Sequence, residues 1–286
     1  MKVRENLSKY TTLGLGGFAD CFINVGSMGE LKKVLLFARK QKIPLTLLGG
    51  GSNVLIKDGG IRCLVIRLKE EFAGISIKGT RVICGGGATL SGAVVMAAAG
   101  GLTGLEFAAG IPGTVGGAVI MNAGAAGKEL KDVVKQVTVI DRRGKLKKLT
   151  ASKCGFRYRS SKLKGGKVFV VEAVLRLQKS TKDRVKAKIV ELLKKRKTSQ
   201  PCAFGTAGCV FKNPKGLFAG QLIEACGLKG KKIGKAEVSG LHANYLVNRG
   251  KSARDFLKLM EIVKKAVLKK TGVRLEEEII ILGEDR

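Results

Sequence analysis

The chain has no tryptophan, three tyrosines and one histidine, His242, among 286 residues. So few aromatic faces leave little on which nucleic-acid bases could stack. One histidine, and no CxxC pair, argue against a structural zinc site. The seven cysteines, at 21, 63, 84, 154, 202, 209 and 226, are odd in number and irregular in spacing. That excludes a regular disulfide framework and fits a reducing, cytoplasmic setting. No run of about 18 apolar residues occurs, so no membrane span is expected. The opening MKVRENLSKYTT lacks the apolar stretch of a secretory signal. Acidic residues are scarce: 22 Asp and Glu stand against 54 Lys and Arg, a net charge of +32. The cations are spread over many segments, which reads as a solvated surface that attracts anionic ligands rather than as a nucleic-acid footprint.

What is present is a globular pattern. Hydrophobic residues make up 45% of the chain, enough for a sizeable core in two or three lobes. Residues 28–41 place Leu31, Val34, Leu35 and Ala38 on one helical face. Strands are expected at 43–49, 61–68 and 165–178, with hairpins over 75–84 and 134–150, the second turning near Arg143-Gly144. Character changes near residue 180, where a charged helix with a stripe of Val185, Ile189 and Leu192-Leu193 marks a domain boundary. A helix capped by Ser252 follows later, with Phe256, Leu259, Met260, Val263 and Val267 inward. A strand at 273–283 closes the chain. The proportions predict an α+β class without a regular βαβ repeat.

Several glycine clusters interrupt this pattern. Gly250-Lys251-Ser252 resembles the end of a P-loop, but Tyr245 stands where the leading glycine is required. Gly14, Gly16 and Ala19 match a loose dinucleotide fingerprint with no convincing strand before them. The cluster LLGGGSNVLI is better placed, because a strand runs into Gly49, Gly50 and Gly51, then Ser52 and Asn53. Such a turn can aim successive N–H groups at a pyrophosphate, where a Cβ would block the approach. IPGTVGGAVIMNAG, with Pro112, Gly113, Thr114, Gly116, Gly117, Asn122 and Gly124, supplies a second wall. Either cluster alone reads as an ordinary turn; the two together favour a dinucleotide cradle. The small-residue run 90–127 reads as backbone brought close to something large and flat. Cys209, in GTAGCVFKNP, is by composition either a small hydrophobe or a reactive thiol.

Eight segments occur in order at consistent spacing: TTLGLGG, LLGGGSNVLI, IPGTVGGAVIMNAGAAG, CGFRYRSS, GCVFKNP, AGQLIEACGLKG, VSGLHANYLVNRG and LEEEIIILG. Together they resemble the UDP-N-acetylenolpyruvoylglucosamine reductase (MurB) family over nearly the whole chain, in its shorter type. The resemblance implies an FAD-binding part of vanillyl-alcohol-oxidase type, made of two α+β lobes at about 1–70 and 71–178. It also implies a C-terminal α+β substrate lobe over 179–286, whose last strand can pack back on the FAD part. FAD would be bound, and NADPH would reduce it and leave. The enolpyruvyl UDP-sugar would then enter the same cleft and be reduced to UDP-N-acetylmuramate, a peptidoglycan precursor. The expected form is a cytoplasmic monomer with no nucleic-acid or membrane partner. The competing readings are another FAD-dependent oxidoreductase of the same superfamily and a cationic nucleic-acid-binding protein.

Family roles transfer residue by residue. Arg159, in FRYRSS, matches the catalytic arginine; a guanidinium holds a carboxylate through two parallel hydrogen bonds and stays charged. Tyr158 sets its register and is expected at the substrate. Glu278 matches the C-terminal glutamate that stabilises the developing enolate, while Glu276 and Glu277 read as solvated surface charge. Cys209 stands where the family usually has a serine proton donor, and a thiol, with an unperturbed pKa of about 8.5, gives up its proton more readily. Lys212, Asn213, Gln221 and Glu224 are the expected contacts to the sugar nucleotide. His242 has no place in the catalytic set.

Overall fold

A computed structural model describes residues 1–201 and 205–285, so Cys202 lies outside the described residues. Contacts divide the chain into two units that alternate along the sequence. The first comprises residues 1–2, 21–50 and 63–195; the second comprises 3–20, 51–62 and 196–286.

In the first unit, helix α1 (Met28–Lys40) begins where Ser27 Oγ accepts the Glu30 N–H at 3.2 Å. It buries Leu31, Leu35 and Ala38. These side chains form one core with Val25, Leu45, Leu64 and Ile66. Strand Leu45–Leu47 runs parallel to Ile61–Leu68, pairing Leu45 with Leu64. A second core lies on an antiparallel sheet of five strands. Its order is Leu146–Thr150, Val134–Asp141, Val168–Arg176, Arg81–Gly85 and Ile75–Lys78. Alternation of Val137 and Val139, both buried, with polar Gln136 and Thr138 shows why one face of this sheet is inward.

The small-residue run, read from the sequence as backbone brought close to something large and flat and given no helix there, contains two helices. These are α2 (Leu90–Ala99) and α3 (Val115–Met121). Thr89 and Thr114 cap them by accepting the Gly92 and Gly117 N–H groups. Ala, Gly and Val all round each helix erase the polar–apolar period by which a helix is recognised. Helix α4 (Lys182–Ser199) forms as expected, but only Val185 of its stripe is buried and Leu193 is 42% exposed.

The second unit packs α5 (Ala219–Ala225) and α6 (Ala253–Thr271) into one core. Ser252 caps α6 by accepting the Asp255 N–H at 3.3 Å. Phe256, Leu259, Met260, Val263 and Val267 are all buried, as the 3.6-residue period requires. The final strand is shorter than its sequence suggests. Only Ile280–Leu282 is regular, and it runs parallel to Val54–Ile56. Residues 273–279 are instead tied to the Cys209 loop by one isolated bridge, Phe211 with Glu277, and by its flanking backbone hydrogen bonds.

Candidate active site

In the first unit the two glycine clusters meet. A Cβ on Gly50 would lie 2.6 Å from the Gly113 Cα, and one on Gly49 would lie 2.7 Å from Thr114 Oγ1. Gly113 also accepts the Leu90 N–H at 3.0 Å, and Gly116 donates to Gly86 at 2.9 Å. A Cβ on Gly116 would sit 2.8 Å from the Gly86 oxygen. Three glycine turns, 49–50, 85–87 and 113–117, are thus stacked backbone against backbone. The 85–87 turn was not assigned a site role from the sequence, whereas the other two were. A surface made of main chain can bring N–H groups close to a diphosphate, and side chains would fill it. On this ground the residues fit the pyrophosphate of a dinucleotide.

The same unit carries Arg159. Arg157 and Ser160 exchange hydrogen bonds at 2.9 and 3.1 Å, closing a tight turn with Arg159 at φ +52°. Its guanidinium lies 5.1 Å from the centre of the Tyr158 ring, a cation–π distance. Arg159 is half-buried, whereas Arg157 is exposed. Asn122, fully buried, donates to the Arg157 carbonyl at 3.0 Å and to Glu129 Oε2 at 2.9 Å, and accepts the Lys131 N–H at 2.9 Å. Its side-chain amide therefore anchors the Tyr158–Arg159 turn. Gly124 pairs with Glu129 in a two-stranded ladder beside it.

In the second unit the Cys209 loop is the middle of three backbone segments. Cys209 bridges Tyr245 on one side. On the other, Glu278 N–H donates to the Val210 carbonyl and Lys212 N–H donates to Glu276, both at 2.8 Å. The ladder thus sets Glu278 opposite the residue that follows Cys209. Asn53 fixes the same strand: its amide donates to the Glu278 carbonyl at 3.2 Å, and its carbonyl accepts the Ile280 N–H at 3.0 Å. Gly51, at φ +64°, lets this loop pass close to the Tyr10 carbonyl. Ser52 lies on the same turn, half-buried.

Cys209 is half-buried. Cys84 and Cys154 are buried, and burial pushes the Cys84 thiol up to about 12 and the Cys154 thiol upward too. Those two are packing residues. Lys212 forms an ion pair with Glu276 at 3.0 Å. Asn213 caps α5 by accepting the Ala219 N–H at 3.0 Å. Gln221 is exposed on α5, and Glu224 pairs with Lys229 at 2.5 Å. Burial lowers the His242 pKa, and its Nδ1 accepts the Asn244 N–H at 3.2 Å.

Two residues were not anticipated. Glu277, taken from the sequence as solvated, is two-thirds covered and bonds Lys264 of α6 at 2.7 Å. Asn244, 2% exposed, binds the Phe211 backbone from both ends. An amide set between Ala243 and Tyr245 in an otherwise apolar run was the available signal.

Burial pushes the Glu277 carboxyl up, but the Lys264 hydrogen bond, with its charge and that of Lys212, outweighs this and leaves the pKa below the usual value. Hydrogen bonds from Glu277 and then Glu261 raise Lys264. A lowered carboxylate contributes stability that is present above its unfolded value of about 4.3 and is lost as pH falls through its folded value. A raised lysine contributes below about 10.4 and loses it as pH rises further. Glu277→Gln is expected to lower stability by about 0.5–1 kcal/mol at pH 7, since the pair is partly exposed. The difference should vanish well below pH 4. Urea unfolding of both proteins at pH 7 and pH 3 checks this; an equal deficit at both pH values refutes the ion-pair account.

Comparison with known proteins decides the family. The FAD binding domain family matches residues 19–150, and the UDP-N-acetylenolpyruvoylglucosamine reductase C-terminal domain family matches residues 200–282. The UDP-N-acetylenolpyruvoylglucosamine reductase of Desulforamulus reducens is 42% identical over 286 residues, covering all of this chain and 94% of that protein. This chain belongs to that family. The reductase of Clostridioides difficile is 43% identical, again over the whole chain and 94% of its own length. The crystal structure of the Thermus caldophilus MurB superposes with a TM-score of 0.86 at 38% identity, covering 98% of both chains. As a MurB-family member the chain is an FAD-binding oxidoreductase of α+β architecture. Among its described residues no helix is long and apolar enough to cross a membrane.

Proposed function

We propose that the chain reduces UDP-N-acetylglucosamine enolpyruvate to UDP-N-acetylmuramate in peptidoglycan precursor synthesis, with FAD bound and NADPH as reductant. The observation that carries this reading is the backbone ladder that holds the Cys209 loop against Glu278, in a chain aligned end to end with named reductases. The flavin-binding part lies within residues 1–178 and the substrate lobe within 179–286, while Tyr158 and Arg159 of the first part also meet the substrate. NADPH and the sugar nucleotide use one cleft in turn. The enzyme acts as a cytoplasmic monomer.

FAD, when bound, supplies a hydride carrier between the nicotinamide and the terminal carbon of the enolpyruvyl group. The turn at 49–51 and residues 113–114 would offer main-chain N–H groups to its diphosphate. Gly116 and Gly117 would keep the wall flat while their own N–H groups bond Gly86 and Thr114. Ser52, Asn53, Pro112, Thr114, Asn122 and Gly124 would shape or anchor that wall. As hydride adds to the terminal carbon, the carbon–carbon double bond opens and negative charge develops at the α-carbon. Arg159 holds the carboxylate into which this charge spreads, stacked on Tyr158. Glu278 shares a hydrogen bond with that carboxylate. The Cys209 thiol gives its proton to the α-carbon, and the thiolate regains a proton from solvent. Lys212, Asn213, Gln221 and Glu224 contact the sugar nucleotide; for Lys212 and Glu224 this means exchanging a protein ion pair for the ligand.

An anaerobic absorption spectrum tests the reading. The protein should show a flavin spectrum that bleaches with NADPH and recovers when the enolpyruvyl sugar nucleotide is added. Bleaching without recovery rejects the substrate. A colourless protein that does not take up FAD rejects the cofactor as well.

A further inference from the structure

Asn244 takes no part in the chemistry above, yet it is one of the most fully buried polar side chains near the Cys209 loop. Its Oδ1 accepts the Phe211 N–H at 3.0 Å, and its Nδ2 donates to the Phe211 carbonyl at 2.8 Å. Its own main-chain carbonyl accepts the Val210 N–H at 2.9 Å. One residue therefore satisfies both backbone groups of Phe211 and the donor of Val210. A side-chain amide carries a donor and an acceptor at the same spacing as a peptide group, so Asn244 completes a sheet ladder where the main chain turns away. The opposite edge of the loop is bonded to Glu276 and Glu278. The register of Cys209 relative to Glu278 thus passes through a four-residue segment held on both sides, and Asn244 is its support on one.

We infer that Asn244 is a positioning residue for proton transfer: it holds Val210 and Phe211 so that the Cys209 thiol meets a single face of the α-carbon. The inference rests on the reading of Cys209 as donor. Asn244→Ala removes both side-chain bonds. Asn244→Asp keeps the size and the acceptor for the Phe211 N–H, but sets a carboxylate oxygen against the Phe211 carbonyl.

The experiment uses the full chain with FAD bound. Both variants are reduced with NADPH and reoxidised with the enolpyruvyl sugar nucleotide in D2O, and the configuration at the product's α-carbon is read. The rate of Cys209 alkylation by iodoacetamide is followed separately by peptide mass spectrometry. Bleaching by NADPH should be unchanged, while recovery slows about 10²-fold, the scale expected for a catalytic group misplaced by about 1 Å. The wild type should give one configuration at the α-carbon. The variants should give a mixture, because solvent can deliver deuterium to either face, and their alkylation rate should change severalfold. Wild-type recovery, stereochemistry and alkylation in both variants overturn the inference. Loss of the native thermal transition in both variants also overturns it, since Asn244 is then a core residue. If the wild type itself does not recover, the substrate reading fails. Alkylation then decides alone: an unchanged rate in both variants shows that Asn244 does not hold Cys209, and a changed rate supports that it does.

Discussion

Cys209→Ala should leave the bleaching of the flavin by NADPH intact and slow its recovery by the enolpyruvyl sugar nucleotide about 10²–10⁴-fold, the usual contribution of a general acid. The two half-reactions separate because hydride delivery to the flavin needs no proton at the substrate α-carbon. Cys209→Ser should recover within about tenfold of the wild type, since a hydroxyl can occupy the donor position although it is the weaker acid. Peroxide adds a control. Its pretreatment should block recovery in the wild type and not in the serine variant, because a half-buried thiol can be oxidised where an alcohol is not. Anaerobic stopped-flow absorbance reads every case. Equal recovery rates in wild type and Ala variant would remove Cys209 from the mechanism.

The second large effect is expected at Gly50. Its φ is not in the left-handed region, so alanine is allowed there by the backbone and the penalty is steric. The new Cβ would meet the Gly113 Cα at 2.6 Å and the Gly113 carbonyl carbon at 3.2 Å. Neither atom belongs to a side chain that can turn away. Overpacking of this kind costs about 1–3 kcal/mol, which corresponds to about 5–150-fold in FAD affinity if the turn is displaced from its binding geometry. Gly49→Ala is the internal comparison. Its Cβ would meet the Thr114 side chain, with Oγ1 at 2.7 Å. That side chain can shift, at the expense of its cap on α3, where main chain cannot, so the effect should be smaller. Titration of apoprotein with FAD, alongside thermal unfolding of the apo forms, checks both. Equal affinities for Gly50→Ala and the wild type would show that the contact between the two turns does not shape the flavin site.

The sequence revealed residue types more readily than contacts. Helix α6 was legible to its cap, because Ser252 precedes a regular alternation of apolar and charged residues. The Val134–Asp141 strand and its hairpin were legible for the same reason, with Gly144 marking the turn. Helices α2 and α3 were not, since their small residues carry no polar face. The meeting of Gly50 with Gly113 is a contact between distant segments, which one sequence does not display. Glu277 was misread because strand alternation places it opposite Glu278, and the partner waiting on that side is Lys264 of α6. Arg159 was separable from Arg157 only through resemblance, and the turn gives the physical distinction: one is half-buried and the other exposed.

The short parallel pair of Val54–Ile56 with Ile280–Leu282 joins segments whose contacting residues Asn53 and Glu278 are 225 positions apart. A nascent chain emerging from the ribosome will have made its first glycine turn long before the strand that anchors it exists. Until residues 278–282 have emerged, the edge of Val54–Ile56 has no parallel partner and Asn53 has no Glu278 carbonyl to bind. Closing so distant a contact is slow, and an open strand edge invites association with other chains meanwhile. Pairing of Ile280–Leu282 with Val54–Ile56 therefore comes long after the first glycine turn is made. A chain cut before residue 278 would lack both that strand and the carbonyl that holds Asn53.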